Sequence, residues 1–216
     1  MSSRKVLKVW FHPASPYSRR VLTFLDWTGL PAERLQVALE KREQKSENYL
    51  TINPYGRVPA IVDEDVDGSP FALSESVAIL RYLVDRHGLH EWYPAGLRER
   101  AAADQWLEYA SQQASRPFLD LAWLRILAPR FGMAQEPDVV RVQEEAALKK
   151  LHRELPVLQS RLAESPYLAG MRPTLADVAL YPFAALHVDA GIELIKAAPA
   201  VVAWLDRLAA QSWRKD

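Results

Sequence analysis

The chain has 216 residues, of which 49% are hydrophobic and 25% charged, and its 27 basic residues balance its 27 acidic ones. Because the two signs are interleaved, we expect no basic surface for nucleic acid or for an anionic membrane. The sequence contains no cysteine, which excludes disulfides, thiolate metal sites and a protein thiol as nucleophile.

The sequence also lacks the patterns of a membrane segment or a metal site. Its first residues have no apolar core of the signal-peptide type, and no run approaches about 18 uninterrupted apolar residues. The five histidines are scattered, without the helical spacing of a ligand pair. We therefore expect a soluble, cytoplasmic protein with no metal.

The first part of the chain predicts alternating strands and helices. β-Branched and aromatic residues indicate the strands, while an early proline and a final glycine bracket the first helix. The polar run 41–50 predicts a short, irregular helix. The other expected elements are strands at 5–11, 35–37, 57–63 and 71–73, and helices from Pro16 to Gly29 and from Ser74 onward.

Pro59 is out of place within the third of these strands. Proline has no N–H for a strand ladder and normally lies at a strand edge or start. One explanation is a cis bond between Val58 and Pro59, which turns the N–H and C=O of Val58 outward to pair with the backbone of a ligand. Only about 5–6% of X-Pro bonds are cis, so the surrounding residues must decide.

From residue 97 onward the pattern predicts helices and no strand. The run 97–116 is helical, and Pro117 and Pro129 are expected to interrupt a second piece rich in aromatic residues. Leucines at helical spacing then form an apolar stripe. Pro156 lies inside that stripe and is expected to kink or break its helix.

Thr174 and Asp177 have the spacing of a cap at the start of a nearly all-apolar helix, which belongs inside a domain. Pro199 begins the last helix. The expected organisation is an α/β domain at 1–87 and an all-α domain at 96–216, joined by a linker.

These features occur together in the order found in one family, and the chain resembles a soluble glutathione transferase over essentially its full length. Its first domain is similar to a thioredoxin-like domain, with Val58-Pro59 at the position of that fold's cis-proline. Ser74-Glu75-Ser76 resembles the family's glutathione-clamping step, and the segment from Thr174 to Asp177 resembles its capping box. Ser15-Pro16-Tyr17-Ser18-Arg19 is similar to the serine-type classes, theta most closely.

The resemblance implies an enzyme that uses glutathione as a co-substrate and attacks a small apolar electrophile with its thiolate. A free thiol has a pKa of about 8.5. A hydroxyl that donates to the thiolate contributes about 1.5–3 kcal/mol, and a helix N-terminus adds about 0.3–1 kcal/mol. Ser15 is the expected donor and Ser18 the alternative, although Ser15 could simply cap its helix.

The resemblance also implies four contacts to the body of glutathione. Val58 and Pro59 hold the cysteinyl backbone, while Glu75 accepts from the γ-glutamyl ammonium and Ser76 binds its carboxylate. Each residue has a plainer explanation, since strand packing accounts for Val58 and helix capping for Glu75 and Ser76.

Three further residues match family positions more loosely. Gln44 and Lys45 fall where the family contacts the glycine carboxylate, although a solvated lysine explains Lys45 equally. Asp104 matches a position that reaches the partner subunit's glutathione in a homodimer, although a surface acid on a helix is an equal explanation.

The second substrate is expected to lie against apolar walls, although aromatic residues at helical spacing more often belong to a core. The candidate wall residues are Pro13, Ala14, Trp106, Tyr109 and Trp123. Two other functions stay open, namely another glutathione-dependent reaction (dehalogenation, ether cleavage or isomerisation) and a non-catalytic, regulatory binding protein.

Overall fold

The computed structural model describes residues 7–210, and the chain divides after Gly88 into two compact units. The second unit begins at Leu89. Residues 5 and 6 of the predicted first strand, and the outer ends of both predicted domains, lie outside the described residues.

The first unit contains a four-stranded sheet with helices and short 3-10 turns. The turns cover Leu39–Lys41 and Glu43–Lys45 and are followed by a short α-helix, Glu47–Ile52, so the irregular helix predicted at 41–50 is divided between the two kinds of helix. The regular elements are β1 (Lys8–Phe11), α1 (Pro16–Thr28), β2 (Glu33–Gln36), α2 (Glu47–Ile52), β3 (Ala60–Val66), β4 (Ser69–Ser74) and α3 (Ser76–His87).

The strand order is β2-β1-β3-β4, with β1 and β2 parallel and the other two pairs antiparallel. Phe11 lies opposite Gln36, Trp10 opposite Ala60, and Ala60 opposite Ser74. The last residues of β1, β2 and β4 and the first residue of β3 therefore share one end of the sheet. We call this end, defined by Phe11, Gln36, Ala60 and Ser74, the Phe11 end.

Apolar side chains hold the helices of this unit on the sheet. On one face, Ala60 forms a buried cluster with Val37 of the loop after β2 and Tyr49 of α2. Side chains alternate along a strand, so Val9 and Ile61, both fully buried, face the other way. Helix α1 contacts α3, which in turn contacts β3 and β4.

The third strand is Ala60–Val66 rather than the predicted 57–63, so it is shifted at both ends. It begins at Ala60 rather than at Arg57, because Pro59 offers no N–H and the carbonyl of Arg57 is taken by side chains described below. The peptide bond between Val58 and Pro59 is cis, as predicted.

The second unit is helical, and in its described part, residues 89–210, the only strand-like pairing is an isolated bridge between Tyr167 and Gly170. No helix in the part of the chain that the structure describes is long and apolar enough to cross a membrane. The α-helices of the second unit are α4 (Leu97–Tyr109), α5 (Ser115–Ala122), α6 (Ala128–Arg130), α7 (Pro137–Glu164), α8 (Leu175–Ala184), α9 (Leu194–Ala197) and α10 (Pro199–Ala210).

Pro117 and Pro129 lie within helical segments of this unit, although the sequence predicted that they would interrupt a helix. A π-helical turn, Ala110–Ala114, leads directly into α5, whose first turn contains Pro117. Proline has no N–H for the hydrogen-bond ladder, and Pro117 lies just after a turn whose hydrogen-bond spacing already differs from that of an α-helix. A second π-helical turn, Trp123–Leu127, precedes α6 and its Pro129 in the same way.

Pro156 was expected to kink or break its helix, and the break is absent, since α7 runs unbroken through it. The missing hydrogen bond and ring clash cost about 3 kcal/mol. Leu151 and Leu155 before the proline, and Leu158 and Leu162 after it, are all buried. Burying each leucine contributes about 1.5–3 kcal/mol, which outweighs the cost of the proline.

The capping box predicted at the start of α8 is present. The side chain of Thr174 accepts from backbone N–H groups of the first turn, and the side chain of Asp177 accepts from the N–H of Thr174. In the segment 88–96, predicted as a linker, Trp92 and Tyr93 are buried, and both belong to the second unit. The carbonyl of Trp92 accepts from the N–H of Leu175, the first residue of α8, at 2.9 Å.

An α/β unit with a mixed sheet, followed by a helical unit, confirms the predicted fold.

Candidate functional site

Three chain segments that carry predicted site residues meet at the Phe11 end of the sheet. Ser15 follows β1, Val58-Pro59 immediately precedes β3, and Glu75 and Ser76 immediately follow β4. Because β1, β3 and β4 are neighbours in register, these segments lie side by side. The sheet topology thus brings together residues from three separate parts of the first unit.

Ser15 is the N-cap of α1 and is only partly buried. Its Oγ accepts from the backbone N–H of Ser18 at 3.2 Å, which leaves its own O–H able to donate to another group. Ser18 differs, because its side chain is fully buried and its Oγ accepts from the N–H of His12 at 3.2 Å.

His12 stabilises the loop that leads to Ser15. It is buried, and its Nδ1 accepts from the N–H of Ala14 at 3.2 Å. Its Nε2 lies 3.7 Å from a carboxylate oxygen of Glu40. Pro13 is exposed in the same loop, and its carbonyl accepts from Nε of Arg19 at 2.9 Å.

The backbone before Val58 is fixed by two side chains. The hydroxyl of Tyr49 and the amide Nδ2 of Asn53 both donate to the carbonyl of Arg57, at 2.6 and 2.7 Å. Burial raises the pKa of Tyr49 to about 12, so that hydroxyl stays protonated and keeps donating. Within residues 7–210, the N–H and C=O of Val58 make no hydrogen bond with the protein.

Gln44 and Lys45 lie against the turn that leads to Val58. Nζ of Lys45 donates to the carbonyl of Tyr55 at 3.2 Å. Gly56 has a φ of 58°, and a Cβ there would lie 2.7 Å from Nζ of Lys45 and 2.8 Å from the carbonyl of Gln44. Oε1 of Gln44 is buried and has no hydrogen-bond partner among the described residues.

Glu75 and Ser76 form the corner between β4 and α3. Glu75 is exposed and adopts a φ of 70°, a left-handed conformation that a non-glycine residue rarely takes. Ser76, the first residue of α3, is buried, and its Oγ lies 3.4 Å from NH1 of Arg20. The corner therefore turns Glu75 toward solvent and Ser76 toward α1.

Arg20 was not predicted as a site residue. It lies on α1 with an exposed fraction of 2%, and its guanidinium is 5.3 Å from the ring centroid of Tyr17. Loss of solvation lowers the pKa of Arg20 to about 10. The only signal in the sequence was an arginine among the inward-facing positions of a helix.

The aromatic candidates for the second substrate separate into two places. Trp106 and Tyr109 pack edge to face, with centroids 5.6 Å apart, and line one groove of about 380 Å³. Trp123 instead lines a different groove of about 310 Å³ with Arg116 and Lys150. The three aromatic candidates therefore line two different grooves of the helical unit.

Tyr109 and Asp104, two of the predicted site residues in this unit, each make a hydrogen bond within the protein. The hydroxyl of Tyr109 donates to Oε2 of the buried Glu154 at 2.8 Å, and burial together with that carboxylate raises its pKa. Asp104 accepts from the hydroxyl of Tyr93 at 2.6 Å. Among the described residues no group of three or more His, Asp or Glu side chains could hold a metal ion.

Two family models match the chain. The glutathione S-transferase N-terminal domain matches residues 14–86, and the glutathione S-transferase C-terminal domain matches residues 117–212. The chain belongs to the glutathione S-transferase family. This confirms the family predicted from the sequence.

Individual members of the glutathione S-transferase family are similar over nearly the whole chain. Glutathione S-transferase F10 of Arabidopsis thaliana is 30% identical over 210 residues, which cover 95% of this chain and 94% of the relative. Glutathione S-transferase theta-2 of Homo sapiens is 31% identical over 208 residues, which cover 94% of this chain and 81% of the relative. A theta-class protein is thus among the relatives, as the sequence indicated.

A crystal structure from the glutathione S-transferase family agrees with the fold. It is of a glutathione transferase family member from Pseudomonas fluorescens pf-5 with two glutathione bound. It superposes with a TM-score of 0.82 at 26% sequence identity, covering 97% of this chain and 91% of the other.

Proposed function

We propose that this protein is a glutathione transferase that binds glutathione at the Phe11 end of its sheet and adds it, as the thiolate, to a small apolar electrophile. The observation that carries the proposal is the backbone of Val58, which pairs with nothing within residues 7–210 and is flanked by Ser15 and by Glu75-Ser76. Glutathione is a peptide, so its cysteinyl N–H and C=O can pair with the backbone of Val58 as one strand pairs with another.

The hydroxyl of Ser15 is the proposed donor to the thiolate. Its Oγ already accepts from the helix, so its hydrogen is available to a ligand, and the N-terminus of α1 favours negative charge nearby. We prefer Ser15 to Ser18 because the side chain of Ser18 is fully buried. A hydroxyl and a helix end together supply about the 2.7 kcal/mol needed to lower a thiol pKa by two units.

The two charged ends of glutathione have separate proposed partners. At the γ-glutamyl end, the exposed Glu75 accepts from the ammonium, and Ser76 with the N-terminus of α3 binds the carboxylate. At the glycine end, Lys45 and the amide of Gln44 are within the segment that packs on the Val58 loop, which supports a contact with the terminal carboxylate.

Pro13 and Ala14, beside Ser15, are the proposed wall residues of the first unit, and Trp106 and Tyr109 are those of the helical unit, where they line one groove. The two aromatic rings offer apolar surface to an electrophile, and Gln105, Glu108 and Gln112 line the same groove. Trp123 lies in another groove, and we leave it out of the proposed wall.

A homodimer and a cytoplasmic location are part of the proposal. In the dimer, Asp104 would reach the partner subunit's glutathione, in addition to its bond with Tyr93. Sedimentation at micromolar concentration and cell fractionation test the two statements separately. A monomer that retains full activity would remove the role of Asp104.

The test of the proposed function combines binding with thiolate formation. Isothermal titration with glutathione should show binding, and the ultraviolet absorbance of the bound thiolate should reveal a pKa below about 8.5. Absence of binding would refute the proposal. Binding with an unchanged thiol pKa would instead favour the regulatory alternative.

The reaction type requires a second assay. Comparing chloronitrobenzenes with alkyl halides separates aromatic conjugation from dehalogenation, and ether and isomerisable substrates test the remaining alternatives. All of these reactions use the same thiolate, so the site residues proposed above do not change between them.

A further inference from the structure

Arg20 connects the two helices that begin at the Phe11 end of the sheet. Its NH1 lies 3.4 Å from Oγ of Ser76, and both side chains are buried. The two residues are 56 positions apart in the chain, and α1 and α3 are in contact. The bond therefore ties the start of α3 to the inner face of α1.

The direction of this hydrogen bond is fixed by chemistry. A guanidinium has only donors, so Oγ of Ser76 must be the acceptor. The hydroxyl hydrogen of Ser76 then has to point away from Arg20. A hydroxyl held in this orientation is ready to donate to an anion at the start of α3.

The charge of Arg20 acts in the same place. Its pKa of about 10 leaves it protonated near neutral pH. A buried cation interacts more strongly with a nearby anion than an exposed one, because the surroundings are less polarisable. The helix α3 adds the N–H groups and dipole of its first turn.

We propose that Arg20 is a positioning residue, which fixes the hydroxyl of Ser76 as a donor and makes the Ser76 site selective for a ligand end that carries a carboxylate. The inference rests on the proposed function, in which the α-carboxylate of the γ-glutamyl group occupies that site. It assigns to Arg20 a role in ligand selection, beyond the mechanical link between α1 and α3.

The experiment compares two ligands in variants of Arg20. One ligand is glutathione, and the other is its analogue without the α-carboxylate, 4-aminobutyryl-cysteinyl-glycine. For Arg20→Gln we expect the Kd of glutathione to rise about tenfold and the Kd of the analogue to change less than about twofold. Arg20→Lys keeps the charge but not the fork of donors, and we expect about a threefold rise for glutathione alone.

The matched control is Arg34→Gln on β2, an exposed arginine paired with Asp26 at 2.5 Å. It removes the same charge from the same unit and should leave both affinities unchanged. Circular dichroism and thermal melting establish that each variant is folded before titration.

The outcomes separate the inference from the proposed function. If Arg20→Gln weakens both ligands equally, or neither, Arg20 is only a structural link and the inference is overturned while the function stands. If Arg20→Gln does not fold, Arg20→Lys decides by the same comparison of the two ligands. If the unchanged protein binds no glutathione, the proposed function and the inference fail together.

Discussion

The indole N–H of Trp204 donates to Oδ1 of Asp177 at 2.9 Å, and both side chains are fully buried. The N–H of Leu168 also donates to Oδ1, and the N–H of Thr174 donates to Oδ2 at 2.9 Å. One carboxylate thus joins α10, the start of α8 and the loop that precedes it. This arrangement explains why α8 can be apolar on nearly all sides and still have a defined start.

Asp177→Asn should strongly destabilise the protein. Either orientation of the amide turns a donor toward groups that now donate to Asp177. We expect the free energy of unfolding to fall by about 2–4 kcal/mol, because buried N–H groups lose their acceptor. Urea denaturation measures the change.

The control for this prediction is Asp206→Asn, an exposed acid on the same helix as Trp204. It should change the free energy of unfolding by no more than about 0.5 kcal/mol. Equal stability of the Asp177 and Asp206 variants would show that the buried carboxylate contributes nothing.

Ser15→Ala should slow conjugation and move its pH dependence. Loss of a hydroxyl that donates to a thiolate corresponds to a fall in kcat/KM of about ten- to a hundredfold. The thiol pKa of bound glutathione should rise, so the pH–rate profile should shift to higher pH. Steady-state kinetics across a pH series measure both effects.

Two further variants of Ser15 separate its roles. Ser15→Thr keeps a hydroxyl and should retain most of the rate. Ser15→Gly removes the hydroxyl but costs the helix only a few tenths of a kcal/mol, so its rate should fall as far as that of the alanine variant. Full activity in Ser15→Gly would contradict the proposed donor.

Gly56→Ala should damage both stability and glutathione binding. A Cβ at this position meets a backbone oxygen of Gln44 and the ammonium of Lys45, and the φ of 58° is unfavourable for alanine. We expect a loss of about 2–3 kcal/mol in the free energy of unfolding, together with a higher Kd for glutathione. Gly29 has a φ of 70°, but a Cβ there would have no other atom within 4 Å, so Gly29→Ala should cost only about 1 kcal/mol and leave the Kd unchanged.

The ionised carboxylate of Asp63 should stabilise the folded protein at neutral pH, and this stabilisation should be lost in acid. Burial acts to raise the pKa of its carboxyl, but hydrogen bonds from Tyr82, Arg86 and the N–H of Asp65 hold that pKa below its ordinary value. A carboxyl with a lowered pKa stabilises the folded state above its ordinary pKa of about 3.9, and this stabilisation is lost as the pH falls through the folded-state pKa.

The measurement is denaturation of the unchanged protein and of Asp63→Asn between about pH 7 and pH 3. The unchanged protein should be more stable by about 1–2 kcal/mol at neutral pH, and the difference should shrink as the pH falls below about 4. A difference that stays constant with pH would mean that the charge of Asp63 has no part in it.

Features set by neighbouring residues were predictable from the sequence. The end of α1 at Gly29 and the cap at Thr174 depend on chemistry within one helical turn, and both are as predicted. The position of Pro59 also carried enough local information to indicate the cis bond, once the motifs around it were considered together.

Features set by distant residues were not predictable. The role of Arg20 depends on how closely α3 approaches α1, and the continuity of α7 through Pro156 depends on leucines buried by other helices. The π-helical turn Ala110–Ala114 has wider spacing than an α-helix, so it shifts the helix face between Tyr109 and Trp123. The spacing of these aromatics along the sequence therefore does not show that they line two different grooves.

The hairpin between β3 and β4 turns at the end of the sheet opposite to the Phe11 end. Its two turn residues, Asp67 and Gly68, have φ values of 51° and 83°, as in the tight turns that suit twisted strands. The proposed glutathione contacts of Ser15, Val58, Glu75 and Ser76 lie at the other end of the strands. The hairpin is accordingly a position where a peptide tag, a fluorophore or an extra loop can be introduced without contacting the proposed glutathione site at the Phe11 end.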